Sequence, residues 1–281
     1  LRPRELAYDL ALFSVETPTL LPATHTNSYA LGSREILLVE PSTPYEKEQR
    51  AWLDWAHGIA REGKTITAIV LTHHHVDHIG GLEVFARELN LPVWAHHETA
   101  VRVGEKKVTR ELHDGETISL AGKLGEETWN VLHTPGHAPG HICLHNTQTR
   151  TLVVGDMVAS VGTILIAPGD GDMHIYLEQL DRLAKLDASL ALPAHGEPIE
   201  NPSALFRKYI EHRLMRENKV FGAIADHPNL SDVDLVPFAY ADTPAHLYPI
   251  ALLSLQAHLE KLAAENRVVS KHGTWSAINP A

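Results

Sequence analysis

A short run of aliphatic and β-branched residues, 66–71, breaks off at Thr72-His73-His74-His75-Val76-Asp77-His78. Such a run reads as a buried strand, and no core accepts the polar cluster after it without partners. His73, His75, Asp77 and His78 supply three imidazoles and a carboxylate within six residues. Nitrogen and oxygen donors of this kind hold borderline-soft divalent ions such as zinc. In an extended segment His73 and His75 point to one side. Asp77 and His78 fall where Gly80, Gly81 and the stretch 82–89 suggest a turn into a helix. The spacing therefore offers two pairs of ligands, the beginning of two neighbouring metal sites. A purification tag would be terminal and uninterrupted, and this cluster is neither.

Three further apolar runs end in the same way. Residues 124–132 lead to Thr134-Pro135-Gly136-His137, 152–154 to Gly155-Asp156, and 190–193 to Ala194-His195-Gly196. A side chain just past a strand projects from the end of a sheet, the usual place for functional residues. One strand-end His means little, but four strand ends carrying ligand-type residues point to one shared metal centre.

The rest of the chain has the alternation of an α/β layered domain. Strands are expected over 6–15, 28–31, 35–39 and 92–95, with a loop at 17–26. Helices are expected over 46–62, where Trp52, Leu53, Ala56, Ile59 and Ala60 recur at helical spacing, and over 82–89. Residues 106–118 are expected to form a mixed-charge loop with a turn at Asp114-Gly115. Trp52 and Trp55 read as packing on the sheet, with an interface between copies as the alternative. His25 and Asn27, at the end of the 17–26 loop, could face a site, with an exposed loop residue as the alternative for His25. His96 and His97 match none of the other ligands in spacing and read as structural or exposed. Cys143, the single cysteine, reads as a small core residue, and no internal disulfide can form.

Composition sets wider bounds. The chain has 281 residues, 44% hydrophobic and 21% charged, with a formal charge of −11. That charge argues against an extended nucleic-acid surface, whose affinity rests on Lys and Arg. No apolar run approaches the roughly 20 residues that cross a bilayer, so no membrane partner is expected. With no apolar signal core visible, a cytoplasmic location is expected, although a targeting segment already removed would leave the same sequence.

The series His73-x-His75-x-Asp77-His78, His137, Asp156 and His195 resembles the ligand set of the metallo-β-lactamase superfamily, over roughly residues 8–200. The resemblance implies a four-layer αβ/βα sandwich with a one- or two-metal hydrolytic centre. It assigns His73, His75 and His137 to one ion and Asp77, His78 and His195 to a second, with Asp156 bridging. It implies two divalent ions, zinc first, with manganese or iron as alternatives. Asp at the bridging position is similar to the glyoxalase II and ribonuclease Z branches, whereas several true β-lactamases use Cys. The segments 134–141, 155–158 and 166–173 resemble β-lactamase-like hydrolases that include a human mitochondrial endoribonuclease, with fungal polyketide thioesterases nearby. The chain departs at Glu40-Pro41-Ser42, where an Asp-containing turn is common, and the role of that Asp is not carried over.

Residues 203–281 are expected to form a second, winged-helix-like domain after a catalytic domain at 1–202. Helical patterns at 204–225, at 231–240 behind a Ser cap, and at 249–266 precede a hairpin outline at 267–278. Its last helix sets Lys261 and Arg267 against Glu260 and Glu265. A structural or substrate-flanking module is therefore favoured over a DNA reader. Two ions explain hydrolysis, because a bound divalent ion lowers the pKa of its water from 15.7 to about 7. The expected enzyme uses a metal-bridging hydroxide, with Asp77 both binding metal and orienting that hydroxide. His141 is expected either to hydrogen-bond a ligand or to pack. Expected substrates are small-molecule or acyl-carrier esters, thioesters or lactams, with single-stranded RNA as the alternative. Substrate, native metal and oligomeric state are not legible.

Overall fold

The computed structural model describes residues 2–7 and 9–278. Two sheets organise the first unit. The seven-stranded sheet runs in chain order, from β1 (Arg4–Leu6), β2 (Leu10–Glu16), β3 (His25–Leu31) and β4 (Glu35–Val39). After α1 (Glu46–Arg61) come β5 (Thr65–Val70), the single turn α2 (Val76–Ile79), α3 (Leu82–Leu89), β6 (Val93–Ala95), α4 (His97–Val103) and β7 (Arg110–Glu111). The first four strands pair antiparallel, and β4 through β7 pair parallel. Consequently β4 and β5, and with them Glu40 and the His73 cluster, open at the same edge.

The second sheet holds β8 (Thr117–Gly122), β9 (Gly125–His133), β10 (Ile142–Asn146) and β11 (Thr151–Gly155), followed after an intervening helix, α5 (Met173–Ala184), by β12 (Leu190–Pro193). Its order is β12-β11-β10-β9-β8, and only β11 and β12 run parallel. Their shared direction places Asp156 and His195 at neighbouring strand ends. The core between the sheets comes from one face of each, with Leu10, Leu12, Leu37 and Val70 against Leu120, Trp129, Leu144 and Leu192. On the outer face of the larger sheet, Trp52 stacks on Phe85 at 4.0 Å and Trp55 on Phe13 at 5.0 Å. Both tryptophans are buried in that layer, so packing accounts for them. Burial of this kind stabilises by about 25 cal/mol per Å² of apolar surface.

Most expected elements appear within a residue or two. The expected strand over 6–15 is split into β1 and β2, with Asp9 at φ 55° between them; residue 8 lies outside the described residues. The expected loop at 106–118 holds a 3₁₀ turn at Glu105–Lys107, β7 and the start of β8. Two helices were not anticipated. α4 is seven residues with His96 as its cap, too short for a legible period. α5 buries Met173, Tyr176, Leu180, Leu183 and Ala184 at helical spacing behind an Asp172 cap.

A second compact unit comprises Pro135–Ala138, Ile164–Leu186 and the described part of Ser203–Ala281. It contains α5, most of α6 (Pro202–Asp226), α7 (Asp232–Ala239), α8 (Tyr248–Ala264) and a hairpin of β13 (Val268–Lys271) and β14 (Thr274–Ala277). Ser231 caps α7 by accepting the Asp234 amide. The hairpin turns at His272 and Gly273, both at positive φ, as a two-residue turn demands. Leu235, Leu255, Leu259, Leu262 and Val268 form its core.

Candidate metal centre

The residues of the centre in the first unit sit at strand ends or on the helical turn that follows one. β5 delivers Thr72 and His73, and α2 then turns Asp77 and His78 back toward them. Gly80 and Gly81 permit that turn by close approach. A Cβ on Gly80 would lie 2.8 Å from Pro44 and from the Ser42 carbonyl, and one on Gly81 would lie 2.4 Å from the Phe85 ring. β11 delivers Asp156 and β12 delivers His195. The sheets are tied at this edge by the Ile142 amide donating to the Thr72 carbonyl at 2.9 Å.

Sequence-predicted residues of this unit converge. His73 Nε2 and His75 Nδ1 lie 3.0 Å apart. His78 Nε2 lies 3.6 Å from Asp156 Oδ2 and 3.8 Å from Asp77 Oδ2. His195 Nε2 lies 3.4 Å from Asp156 Oδ1 and 3.5 Å from Asp77 Oδ2. Two triads, His73-His78-Asp156 and Asp77-His78-His195, each offer ligand atoms within 4.8 Å of one another. His78 belongs to both. His137 lies in the second unit, buried, with Nδ1 3.0 Å from the Leu165 carbonyl.

Outer hydrogen bonds fix how the imidazoles present themselves. His78 Nδ1–H donates to Glu40 Oε2 at 3.1 Å and His195 Nδ1–H donates to the His25 carbonyl at 3.0 Å. Each ring therefore turns the lone pair of Nε2 toward carboxylate oxygens. Two acceptors facing each other at 3.4–3.8 Å repel unless a cation or proton lies between them. His78 Nε2 is buried and has no hydrogen-bond partner among the described residues. Ligand atoms on one tetrahedral zinc, with bonds of about 2.0–2.1 Å, stand about 3.3 Å apart. The donor set therefore fits a divalent ion in size, charge and chemistry.

The electrostatics agree. Burial opposes a charge on His78, but the Asp156, Asp77 and Glu40 carboxylates hold it ionised well above the usual imidazole range. Burial likewise opposes the Asp156 charge, yet His195 and His78 keep that carboxyl well below its ordinary value. His195 is raised, burial again being outweighed by Asp156. Without metal, protons supply the positive charge that the geometry requires.

Behind the ligands, His141 is fully buried. Its Nε2 accepts from the Asp156 amide at 3.0 Å and its Nδ1 meets Thr134 Oγ1 at 2.8 Å. Of the two alternatives open in sequence, the structure shows His141 bonded to the backbone of a candidate ligand. Gly155, at φ 46°, leaves room for this, since a Cβ there would lie 2.5 Å from His141 Nε2 and 2.9 Å from Thr72 Oγ1.

Sequence reasoning missed Glu40. It is 1% exposed, sits at φ 64°, binds His78 through Oε2 and accepts the Thr72 amide through Oε1 at 3.1 Å. The position where a supporting acid was not carried over thus holds one. A legible signal existed, for Glu40 is the first polar residue after a fully apolar strand end. Asn27 was also underrated. It is buried, and its side-chain amide donates to the Pro193 and Gly196 carbonyls at 3.0 and 2.7 Å, bracing the turn that carries His195. His25 contributes its carbonyl while its ring is exposed. His96 caps α4 and stacks on His133 at 3.9 Å, and His97 pairs with Glu111 at the surface. Cys143 is buried in β10.

Comparison with known proteins follows the same lines. Residues 21–195 match the family model of the metallo-beta-lactamase superfamily, and residues 233–275 match the beta-lactamase associated winged helix domain. A beta-lactamase-like protein 2 homolog of Caenorhabditis elegans is 28% identical over 254 residues, covering 88% of this chain and 81% of its own. An atrochrysone carboxyl ACP thioesterase of Aspergillus chevalieri is 27% identical over 254 residues, covering 86% of this chain and 77% of its own. The crystal structure of a beta-lactamase domain protein from Burkholderia ambifaria superposes with a TM-score of 0.83 at 20% identity, over 98% of this chain and 93% of that one.

Proposed function

The chain belongs to the metallo-β-lactamase superfamily, with that family's α/β sandwich and an associated C-terminal winged helix, and from this premise we propose that it is a binuclear, zinc-dependent hydrolase of acyl substrates. Thioesters, esters and lactams are the substrate classes intended. The observation that carries the reading is the opposition of imidazole lone pairs and carboxylates at His78, His195, Asp77 and Asp156. When bound, a divalent ion lowers the pKa of water from 15.7 to about 7 and polarises a carbonyl.

Roles follow from position. Asp156 lies between His78 and His195 and would serve both ions. Asp77, His78 and His195 would hold one ion, and His73 and His75 would hold the other. His137 joins the latter pair on the strength of its motif. Asp77 has the most solvent-accessible carboxylate of the group, at 13% against 9% for Asp156. With the ions bound it would orient the hydroxide that they supply. Glu40, His25 and His141 keep ligands in register, as outer partners of metal-binding groups commonly do.

Two observations favour acyl over phosphodiester chemistry. The overall charge of −11 opposes a polyanionic substrate, and a relative covering most of the chain is a thioesterase. The winged helix is taken as a structural module, not a DNA reader. Lys261 is engaged by Glu217 and Glu265, and Arg267 by Glu217, so acidic partners offset the positive charge that this part of the module carries. The test is to offer zinc-loaded protein a panel of thioesters, a chromogenic lactam and labelled single-stranded RNA. Thioester or lactam hydrolysis lost in Asp77→Ala supports the proposal. Cleavage of RNA alone, abolished by the same substitution, refutes it.

A further inference from the structure

Beside the His195 corner the first unit carries an open cavity of about 510 Å³, within the size range of small-molecule sites. It adjoins the metal centre through two of its lining residues. His25, which lines it, holds His195 through its carbonyl, and Gly196, in its wall, directly follows that ligand. Asn27 forms part of the same wall and braces it.

The lining is basic in an acidic protein. Arg2 and Arg4 face the cavity with a single lining carboxylate, Glu197. Arg4 Nη1 pairs with Glu197 at 2.6 Å. Arg2 donates to the Ser14 carbonyl at 2.9 Å and pairs with Glu48, which is not part of the lining. A guanidinium has five N–H donors in a planar fork, suited to two-point recognition of an oxyanion. The pairings described engage only one or two nitrogens of each. Thr24 and His25 add a hydroxyl and an imidazole, 2.8 Å apart, to the lining.

We propose that this cavity is the specificity pocket for an acyl substrate carrying a second anionic group, a carboxylate or a phosphate, which Arg4 and Arg2 receive. The inference rests on the acyl-hydrolase reading for its substrate class. Glu197 is then the competitor that the substrate anion displaces from Arg4, making the site selective for a charged end over an aliphatic one.

The test uses the full zinc-loaded chain and matched thioesters. Succinyl- and butyryl-N-acetylcysteamine differ by a carboxylate on the acyl side, and acetyl-pantetheine with and without its phosphate differ on the leaving-group side. An anionic member of one pair is expected to exceed its neutral partner about tenfold in kcat/KM, the worth of one charge-assisted hydrogen bond. Which pair responds distinguishes carboxylate from phosphate. Arg4→Gln should collapse that ratio and Glu197→Gln should raise it, opposite outcomes that a merely structural role would not give. Arg87→Gln, on α3 away from the cavity, should leave it unchanged. Ratios near one in the native protein, or a ratio indifferent to both Arg4→Gln and Glu197→Gln, overturn the inference while the acyl reading stands. If no thioester is hydrolysed, calorimetric binding of the corresponding non-hydrolysable thioethers decides. Tighter binding of the anionic analogue, lost in Arg4→Gln, upholds the pocket and refutes acyl hydrolysis; equal binding refutes the pocket.

Discussion

Glu40 Oε2 accepts the Nδ1–H of His78 at 3.1 Å, with both side chains essentially out of solvent. Through its other oxygen the same carboxylate accepts the Thr72 amide, one residue before His73. One buried acid thus sets the orientation of one candidate ligand and the backbone of the next.

Removing it should loosen metal binding without removing a ligand. Outer partners of metal-binding histidines are typically worth 10–100-fold in affinity. Glu40→Gln keeps an acceptor for His78 and should cost about tenfold, whereas Glu40→Ala removes the acceptor of two buried N–H groups, those of His78 and Thr72, and should approach 100-fold. Competition with a chelator of known affinity measures both. Affinity unchanged in Glu40→Ala would show that His78 needs no such support.

Gly155 makes a similar argument from space. An alanine there must adopt φ 46° and place its Cβ 2.5 Å from His141 Nε2. Strain of that kind costs about 1–3 kcal/mol, and the displaced imidazole would lose the Asp156 amide. Gly155→Ala should therefore lower stability by about 2 kcal/mol and lower metal content together. Denaturant midpoints at constant slope and elemental analysis report the two effects. Loss of stability with full metal content would sever the proposed link from His141 to Asp156.

How much of this was legible in sequence depended on distance. The strand-end residues His73, His75, Asp77, His78, Asp156 and His195 announced themselves by type and by the apolar runs before them. Trp52 and Trp55 announced a buried face by period. Glu40, first polar residue after an apolar strand, and Asn27, at a loop end, were visible, but their roles were not, because their work is done on residues 38 and more than 160 positions away. α5 was missed although its apolar spacing was present, since the Pro- and Gly-rich approach to it masked the Asp172 cap. The supporting role of His141 was recognisable only as a pair of alternatives until the Asp156 amide was placed against its ring.

In the second unit, Glu217 is buried and pairs with Lys261 at 2.9 Å and Arg267 at 2.8 Å. Burial opposes its charge, but hydrogen bonds from His258 and Lys261 outweigh that and hold its carboxyl down at about 2. A depressed carboxyl stabilises above its unfolded value and loses that contribution as pH falls through the folded one. Glu217→Ala should destabilise by about 1–3 kcal/mol at neutral pH, the cost of removing one buried partner from Lys261, which keeps Glu265. That penalty should shrink steadily between about pH 4.3, the ordinary Glu value, and pH 2. Chemical denaturation of both proteins at pH 7 and pH 3 provides the measurement. A pH-independent difference would mean that packing, not charge, is what Glu217 supplies.

Stripping the metal should turn the centre into a pH-sensitive element of the fold. In the metal-free protein His78 and His195 are raised, burial being outweighed by neighbouring carboxylates, and Asp156 is lowered by the two histidines. The raised histidines stabilise fully below their unfolded value of about 6.5, and that contribution is lost as pH rises through their folded values. Asp156 stabilises above about 3.9, and its contribution is lost as pH falls through its depressed folded value. The metal-free chain should therefore be most stable between about pH 4 and 6.5 and should weaken toward pH 9. With zinc in place of the protons the alkaline loss disappears, because the ion satisfies the same lone pairs and binds more tightly as they deprotonate. Thermal unfolding of chelated and zinc-loaded protein from pH 5 to 9 tests this, with the two curves expected to diverge as pH rises. Parallel curves would mean that the histidine lone pairs and the metal do not share a site.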